Sequence, residues 1–522
     1  MDTNHIGQND QYWEKFVIVP SDIEHLMNFL VDGECPQTLD ALVYELMRYR
    51  HQQMLNLLKD VMSQGRVYRP SESYAVGDNV IFPHLNNVVG EVLQVRPGHN
   101  PEYDTFSVIR VCIKEGDERE FAAELSHEHP LNTVSYSPAE QINLDDLYTR
   151  YGTKVKTILK SNLEKNAQFM TVADQWFLRD LVIHISPGQL NIAEALLDMS
   201  EGGPVATDAF LEEMDLPAEI SKALQAFSLE YALLRDNRFD EVGAAGKGVW
   251  YLRRMEPREV LETPPALRYL PIPYNRGLLD ETMLALERQI DDEWSETTYE
   301  ALQETSVTTV LTYPHWRSGT LPLASRVAKL FPTAKITDRV RFTFVDESTK
   351  EEFPGWVVRS GRYVYGLGEW YEKNQIGVGA FIDLNPGSHS AEILINARRI
   401  RSRRREWLRT VTPEDNQLTF EVDRVPVACE FDELAAIAVA DPATIDTLAE
   451  RLQRISLETL LDQVFNGLAG LSLQRAVHAL TLYCVLNLVK RVTPGPVLTM
   501  LAASPKYVSL GDNYWAYRGD ES

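Results

Sequence analysis

The segment Phe239-Asp-Glu-Val-Gly243-Ala-Ala-Gly-Lys-Gly-Val-Trp250-Tyr-Leu-Arg253 has a counterpart near the C-terminal end of the chain, Tyr507-Val-Ser-Leu-Gly511-Asp-Asn-Tyr-Trp515-Ala-Tyr-Arg518. In both segments, two short runs of strand-forming residues flank a turn that contains glycine, which is typical of a β-hairpin. Both segments end on a pair of aromatic residues and an arginine. The repetition predicts that one small module occurs twice in this chain.

Two helical segments precede each hairpin. They are predicted at Val205–Glu213 and Ala218–Leu234 before the first hairpin, and at Thr481–Val492 and Pro494–Ala502 before the second. Two helices followed by a two-stranded wing are the plan of a winged helix-turn-helix, a module used chiefly on nucleic acids and on partner proteins. The sequence therefore predicts two modules of this kind.

The stretch from 21 to 70 is a candidate for a first winged helix. Ser21 and Thr38 are predicted to cap two helices, and a third helix is predicted from about His51 to Met62. No clear wing follows them.

The C-terminal module carries Thr493-Pro494-Gly-Pro496 at the start of a helix, then Leu501 and the segment from Tyr507 to Trp515. In these residues it resembles the HARE-type winged helix found on bacterial RNA polymerase accessory subunits and chromatin factors. The resemblance implies RNA polymerase or another protein as a partner.

The composition bounds the class of protein. A chain of 522 residues with 44% hydrophobic and 24% charged residues is expected to form roughly three to four domains of an α+β multidomain protein. Its longest apolar runs fall short of the roughly 18 residues that a membrane span needs, and the N-terminus has no signal-peptide pattern. Four scattered cysteines predict reduced thiols and a cytoplasmic location, with no disulfide framework or zinc knuckle.

A period of two begins at Tyr74. Tyr74–Phe82, Gly90–Arg96 and Phe106–Ile113 alternate between apolar and polar residues and are predicted strands. The opening resembles the SH3-like small barrels, whose first strand reads Val-Gly-Asp-x-Val and whose next turn delivers Gly-x-Val. Such barrels bind RNA, DNA or peptides, or act as spacers, and both readings stay open.

A strand-rich region extends from Val307 to about Arg409. Its signature segments, in chain order, are Gly319-Thr-Leu-Pro-Leu323, Ala328-Lys-Leu-Phe331, Val340-Arg-Phe-Thr-Phe-Val-Asp346, Glu352-Phe-Pro-Gly-Trp-Val-Val358, Arg362-Tyr363, Leu367-Gly-Glu-Trp370 and Asn374-Gln-Ile-Gly-Val-Gly379-Ala-Phe381. In these segments and their order the region resembles the plant B-three DNA-binding domain and its pseudobarrel relatives among bacterial restriction enzymes. It departs from that family at Glu369, usually glycine, and at Ala380, usually aspartate.

The resemblance implies a pseudobarrel that reads the DNA major groove with residues on its open face. One contact arm would then contain Arg317, Ser318, Thr320 and Arg326. Arg359, Arg362 and Tyr363 would lie in or near the second hairpin. The large aromatic residues Trp356 and Trp370 are expected to pack the core.

The distribution of charge decides whether an acidic chain can bind DNA. The net charge is −25, and a uniformly acidic surface repels phosphates. One short stretch nevertheless contains seven arginines against the single Glu406: Arg398, Arg399, Arg401, Arg403, Arg404, Arg405 and Arg409. In an extended strand, Arg399, Arg401, Arg403 and Arg405 would share one face. The run is either a phosphate-binding surface or a cationic strand neutralised by acidic segments of the same chain.

Enzyme motifs are not recognised in the sequence. Gly243–Lys247 is too short for a P-loop, His127-Glu-His129 lacks further ligands for a metal, and Asp346-Glu347 with Lys350 is explained by a hairpin turn. We therefore expect no catalysis, no cofactor and no bound metal.

These observations predict a non-catalytic DNA-binding protein, related to transcription regulation, whose pseudobarrel and arginine run contact DNA. The alternatives are an acidic protein-interaction scaffold or polymerase-associated factor, and a recognition subunit of a defence or restriction system. The oligomeric state stays open. The predicted segments are 18–70 (helical, winged-helix-like), 71–135 (SH3-like barrel), 141–262 (helical segment and winged helix), 263–306 (linker and helices), 307–410 (B-three-like pseudobarrel with a basic arm), 411–455 (strands and connector) and 456–522 (C-terminal winged helix).

Overall fold

The computed structural model describes residues 9–85, 87–100, 103–114, 117–133, 143–244, 248–296, 306–334, 336–414 and 416–518. The chain forms two compact units. The smaller unit contains residues 1–184 and 216–228, and the larger contains 185–215 and 229–522. Helices and sheets occur in both units, which confirms the α+β class.

The smaller unit opens with α1 (Asn9–Glu14), α2 (Pro20–Gly33), β1 (Gln37–Thr38) and α3 (Leu39–Ser63). The predicted cap of α3 is confirmed, since the Thr38 hydroxyl oxygen accepts the N–H of Ala41 at 3.2 Å. The predicted start of a third helix near His51 is wrong, because α3 continues through it without a break.

The predicted cap of α2 is also wrong. The Asp22 carboxylate, and not Ser21, accepts the backbone N–H of Val19 at 2.9 Å. Asp22 is fully buried and also pairs with the buried guanidinium of Arg50 at 2.6 Å. α2 begins at Pro20 with Val19 as its N-cap, so Ser21 lies inside the helix and cannot be its cap.

A five-stranded sheet comes next in the chain. It consists of β2 (Arg66–Val67), β3 (Asn79–Phe82), β4 (Val88–Pro97), β5 (Ser107–Lys114) and β6 (Asp117–Ala123), and the short helix α4 (Pro130–Thr133) follows. Each strand pairs with the next along the chain. Tyr68, Val80, Phe82 and Val111 form its buried core.

The smaller unit is completed by α5 (Leu144–Lys165), β7 (Phe169–Val172) and β8 (Gln175–Leu178). β8 pairs both with β7 and with β1, more than 130 positions upstream. Consequently α2, β1, α3, α5, β7 and β8 belong together, and we call them the N-module. The hairpin of this module lies at 169–178, because the five-stranded sheet is inserted between its second and third helices.

A middle module, the M-module, follows in the chain; residues 222–228 of its third helix are counted with the smaller unit and its other elements with the larger. Its elements are α6 (Pro187–Met199), β9 (Val205–Ala206), α7 (Thr207–Glu213), α8 (Lys222–Arg235), β10 (Phe239–Glu241) and β11 (Val249–Leu252). The predicted hairpin is confirmed, with Phe239 opposite Leu252. The helices α9 (Arg258–Leu261) and α10 (Glu281–Ile290) follow in a proline-rich stretch.

The region from 307 to 397 forms a seven-stranded sheet. Its elements are β12 (Val307–Val310), α11 (Tyr313–Ser318), β13 (Thr320–Pro322), β14 (Arg339–Asp346), β15 (Glu352–Val358), β16 (Tyr363–Tyr365), α12 (Gly368–Asn374), β17 (Phe381–Pro386) and β18 (Glu392–Ala397). The strand order is β12-β17-β18-β14-β15-β16-β13. The short helix expected to end at Phe331 is a series of turns instead. Trp356 and Trp370 are buried, as predicted.

Two long strands leave this sheet as an antiparallel ribbon. They are β19 (Arg399–Glu414) and β20 (Gln417–Cys429), and the short β21 (Ile437–Val439) pairs with β19 in parallel. The limit predicted between 410 and 411 falls inside β19. Cys429 packs in the core of the seven-stranded sheet, whereas Val411 and Phe420 pack in the C-terminal core. The ribbon is therefore anchored at both ends.

The C-terminal part contains α13 (Pro442–Leu452), α14 (Leu457–Ala469), β22 (Ala476–His478), α15 (Ala479–Val489), α16 (Pro494–Ala503), β23 (Tyr507–Gly511) and β24 (Tyr514–Tyr517). We call α14 to β24 the C-module. Every residue of α15 is buried, so this module forms the apolar centre of the larger unit.

The three modules share one plan. In each, a helix, a short strand, two helices and a hairpin follow in this order, and the short strand pairs with the last strand of the hairpin. The last strand carries a tryptophan that is 4%, 0% and 4% exposed at Trp176, Trp250 and Trp515. The predicted twofold repeat is therefore threefold.

A backbone hydrogen bond closes all three hairpins. The N–H of the arginine after the last strand donates to the carbonyl of the residue just before the preceding strand. The bonds are Arg179 to Gln168 at 2.8 Å, Arg253 to Arg238 at 3.0 Å and Arg518 to Lys506 at 2.7 Å. The arginine stands at the same distance from the tryptophan in each copy, and the backbone bond recurs at that position.

The M-module hairpin packs against the seven-stranded sheet. Tyr251 meets Trp356 edge-on with ring centroids 5.3 Å apart. Beside this contact, the Arg339 guanidinium lies between two buried carboxyl groups: it donates to Asp240 and lies 3.5 Å from Glu256. Burial raises the pKa of Glu256 to about 8, and the adjacent Asp240 carboxylate adds to the shift. Burial raises the pKa of Glu241 to about 7.

These shifts predict that the M-module loses stability in mild alkali. Both carboxyl groups hold a proton more tightly in the folded chain than at their ordinary pKa of 4.5. Their stabilisation is complete below that pH and is lost as the pH rises through 7 and 8. We expect the free energy of unfolding of the wild type, relative to Glu256→Gln, to fall between about pH 5 and 9. Urea unfolding across this range measures it, with exposed Glu262→Gln as the control; parallel curves for wild type and Glu256→Gln would contradict the prediction.

Candidate nucleic-acid interface

The middle of the ribbon is exposed to solvent between its two anchored ends. Residues directly opposite in an antiparallel pair share a face, and here Trp407 lies opposite Arg424, Arg405 opposite Pro426 and Arg409 opposite Val422. Alternation therefore sorts the side chains of the ribbon onto two faces.

One face is cationic and aromatic. We call it the open ribbon face and define it by Arg405, Trp407, Val422, Arg424 and Pro426, all of which are exposed. Trp407 is 65% exposed, and the Arg424 guanidinium lies 5.6 Å from its ring centroid. No carboxylate belongs to this set of residues.

The opposite face collects the acidic residues of the ribbon. Glu406, Glu421 and Asp423 lie there together with Arg404. The two faces thus differ in charge, although the sequence intermixes the two signs. Of the two ribbon faces, the open ribbon face is the one whose residues include cations and no carboxylate. A phosphate can therefore approach it.

The arginines at the start of the run are paired inside the larger unit. Arg398 contacts Asp383 through two bonds of 2.9 and 3.0 Å. Arg399 lies 3.0 Å from Asp346 and donates to Asn374 at 2.6 Å. The ladder shifts register between Arg399 and Arg404, so Arg399 and Arg405 do not lie on one continuous strand face as expected.

The last arginine of the run is also occupied. The Arg409 guanidinium donates to the carbonyl oxygens of Glu433, Leu434 and Ala436 at 2.9 to 3.5 Å. Burial lowers its pKa. The side chains of Arg401 and Arg403 lie outside the described residues. Of the described side chains of the run, Arg399, Arg404 and Arg405 are exposed. Arg399 is paired with Asp346, and Arg404 and Arg405 lie on opposite faces of the ribbon.

The residues assigned to the first contact arm are engaged within the larger unit, although Arg317 is exposed. Arg317 holds Asp446 at 2.7 and 3.0 Å, and Arg326 holds Asp291 at 3.2 Å. Thr320 is fully buried against His315, 2.9 Å away, and Ser318 is half-buried at the end of α11.

The residues of the second hairpin are engaged in the same way. Arg359 donates to the carbonyls of Phe331 and Pro332, and burial lowers its pKa. Arg362 donates to the carbonyl of Glu293, and the buried Tyr363 hydroxyl donates to that of Glu259 at 2.5 Å. The side chains that the resemblance assigned to DNA contacts therefore donate hydrogen bonds to carbonyl oxygens of this chain.

The third helix differs in charge among the modules. From 150 to 165, α5 of the N-module carries five cations and one carboxylate: Arg150, Lys154, Lys156, Lys160, Lys165 and Glu164. α16 of the C-module has no charged residue and is mostly buried. Lys156 pairs with Asp40 at 2.7 Å, whereas Lys160 and Lys165 are exposed. Among the three modules, the N-module thus offers the most cationic third helix.

A wide cleft of 1590 Å³ also lies in the larger unit, lined by the proline-rich stretch, the seven-stranded sheet and α13. Its lining includes the carboxylates of Glu259, Glu369, Glu372 and Glu450. Lys490, the C-cap residue of α15, donates to the carbonyls of Gln453 and Ile455. The cleft is therefore more acidic than basic in its exposed part.

Sequence reasoning missed the partners that complete the ribbon and the first module. Trp407 and Arg424 are opposite in the ladder, and their role could have been found by pairing the two predicted strands. Trp176-Phe-Leu-Arg179 repeats the hairpin ending of the other two modules, and a search with that short pattern would have found it.

Comparison of the chain with protein-family models, with curated proteins and with solved structures gives no match. Among the described residues, no helix is long and apolar enough to cross a bilayer. The same part of the chain holds no group of three His, Cys, Asp or Glu side chains placed to hold a metal ion.

Proposed function

We propose that this protein is a non-catalytic DNA-binding protein that acts in transcription regulation and contacts DNA through the open ribbon face. The observation that carries the proposal is the separation of charge across the ribbon: Arg405 and Arg424 flank an exposed Trp407 on one face, and the carboxylates lie on the other. Guanidinium groups placed in this way suit phosphate oxygens.

We further propose that the N-, M- and C-modules are winged helices, that the five-stranded sheet is an SH3-like barrel and that the seven-stranded sheet is a B-three-like pseudobarrel. The common order of helices and strands in the three modules supports the first assignment. The signature segments of the resemblance follow one another as strands and turns of a single sheet, which supports the last. The cationic face of α5 offers a separate surface for phosphates.

Charge reversal on the open ribbon face tests the proposal. We expect Arg405→Glu with Arg424→Glu to weaken binding to mixed-sequence duplex DNA roughly tenfold or more at low salt. The slope of log affinity against log salt should fall by about two, because each lost arginine–phosphate contact removes about one unit. Fluorescence anisotropy at salt concentrations between about 50 and 200 mM measures both quantities.

The matched control reverses two exposed arginines elsewhere in the larger unit, Arg288→Glu with Arg454→Glu, for the same change in net charge. It should leave the affinity close to that of the wild type. If the wild type binds neither duplex nor single-stranded DNA at low salt, or if both double variants weaken binding equally, the proposal is refuted.

A second candidate function is a protein-interaction scaffold, and the acidic lining of the cleft favours it. A basic partner such as a polymerase-associated segment would fit carboxylates from Glu369, Glu372 and Glu450. The test is capture of RNA polymerase or another partner after nuclease treatment. If capture is lost when these three residues are changed to glutamine, the result supports the scaffold in place of DNA binding.

A further inference from the structure

We infer that the open ribbon face takes unpaired nucleotides of single-stranded DNA, with a base stacked on Trp407 and the adjoining phosphates held by Arg405 and Arg424. This inference rests on the proposed DNA binding and names the form of DNA that the site takes.

The exposure of Trp407 is the starting point. Tryptophan has the largest apolar side chain, and its burial strongly stabilises proteins. The other tryptophans at hairpin positions, Trp176, Trp250 and Trp515, are at most 4% exposed. Trp407 is 65% exposed, although its strand is rigidly paired on both sides of it. The exposed Trp407 ring on a paired strand is therefore available for stacking with a partner.

The geometry of the ring leaves room for one such partner. The Arg424 guanidinium lies over the ring, 5.6 Å from its centroid, and Trp407 as a whole stays 65% exposed. Arg405 is two residues from Trp407 on the same face, which is about 7 Å along the strand. A base on Trp407 would thus have two cations within reach of its flanking phosphates. Arg424 lies directly opposite on β20, and Arg405 lies two residues along β19.

Stacking requires a base that is free of its own neighbours. In a duplex both faces of each base are covered by adjacent base pairs, so an indole reaches one only when the base is unpaired or displaced. Aromatic platforms with flanking cations accordingly bind single strands with little preference for sequence, because every base has a π-face. The open ribbon face contains no amide side chain that could read a base edge.

The charge of the opposite face determines the side of the ribbon from which a DNA strand can approach. Glu406, Glu421 and Asp423 would repel a backbone that approached from their side. The site therefore has one productive face, and its ligand has a negative backbone and an exposed base.

The experiment compares a single-stranded oligodeoxynucleotide with a duplex and a single-stranded RNA of equal length, using the full chain and fluorescence anisotropy. We expect Trp407→Ala to weaken binding of the single DNA strand roughly tenfold, in the range that base stacking contributes, with a much smaller effect on the duplex. Trp407→Phe keeps an aromatic face and should restore most of the affinity. Tyr514→Ala, an exposed aromatic residue on the C-module hairpin, is the matched control and should bind as the wild type does.

The possible outcomes separate the inference from the function on which it rests. Absence of binding to any nucleic acid refutes both. Duplex binding that depends on Arg405 and Arg424 but not on Trp407, with no gain for the single strand, refutes only the inference. Equal weakening of single strand and duplex by Trp407→Ala, or tighter binding of RNA than of DNA by more than about tenfold, also overturns it. Because Trp407 is exposed, its variants should keep the wild-type circular dichroism and unfolding midpoint, which verifies that a loss of binding is not a loss of fold.

Discussion

Replacement of Arg491 by methionine is expected to lower the free energy of unfolding of the larger unit by about 3–5 kcal/mol, the range for a buried charge that loses its partner. Arg491 is 4% exposed and lies between two buried carboxylates, 2.7 Å from Asp292 and 2.6 Å from Glu293. Its other amino group donates to Asn487 at 3.0 Å. Methionine fills a similar volume but leaves both carboxylates without their cation.

The pKa shifts in this cluster have the same origin. Burial alone would raise the pKa of Glu293, but Arg491 and His315 outweigh it, so the pKa of Glu293 lies well below its ordinary value. Burial raises the pKa of Asp292 in spite of Arg491. Without the guanidinium, both carboxyl groups would have to take up protons or water would have to enter the core.

Urea unfolding followed by circular dichroism measures the loss, with Arg454→Met as the control at an exposed site, where a change within about 0.5 kcal/mol is expected. Arg491→Lys keeps the charge without the two-pronged geometry and should fall between the wild type and Arg491→Met. A loss below about 1 kcal/mol for Arg491→Met would show that the cluster does not hold the C-module to the rest of the unit.

Replacement of Trp250 by alanine should destabilise the M-module by about 3–5 kcal/mol, the range for a buried tryptophan. Trp250 is 0% exposed, and its indole N–H donates to the Thr207 hydroxyl at 3.0 Å. The Thr207 hydroxyl in turn donates to Glu230 at 2.8 Å. Alanine would leave a cavity at the point where the last strand, the short strand and the third helix meet.

The exposed Trp407 supplies a matched control of the same chemical change, and Trp407→Ala should alter stability by no more than about 0.5 kcal/mol. Thr207→Val removes the hydrogen bond without the large cavity and should cost about 1–3 kcal/mol. If the Trp250 and Trp407 variants unfold at the same urea concentration, the repeated tryptophan is not the centre of the module.

Local patterns in the sequence predict much of the secondary structure. The hairpin at Phe239–Arg253, the three central strands of the five-stranded sheet and the Thr38 cap depend on residues a few positions apart, and the structure confirms them. Errors arise at the ends of helices: α2 begins at Pro20, which places Ser21 inside the helix, and α3 continues past His51 to Ser63.

The site was less predictable than the secondary structure, because a run of arginines does not reveal which of them have partners. Arg398 forms an ion pair with Asp383 across the sheet, and Arg399 forms one with Asp346, more than 50 residues upstream. Both pairs link strands that neighbour each other only in the folded sheet. Trp407 and Arg424 meet for the same reason, on opposite strands of the ribbon.

The sequence by itself determined the repeated hairpin with its tryptophan and arginine, since its turn, alternation and closing bond are all local. Only the tertiary structure decided that the third hairpin belongs to one module with α2, β1 and α3, because an inserted sheet separates these elements along the chain and they join through the pairing of β1 with β8. It also decided which cations remain available to a ligand. Buried charges must be paired, and the partners that neutralise them come from parts of the chain that meet only on folding.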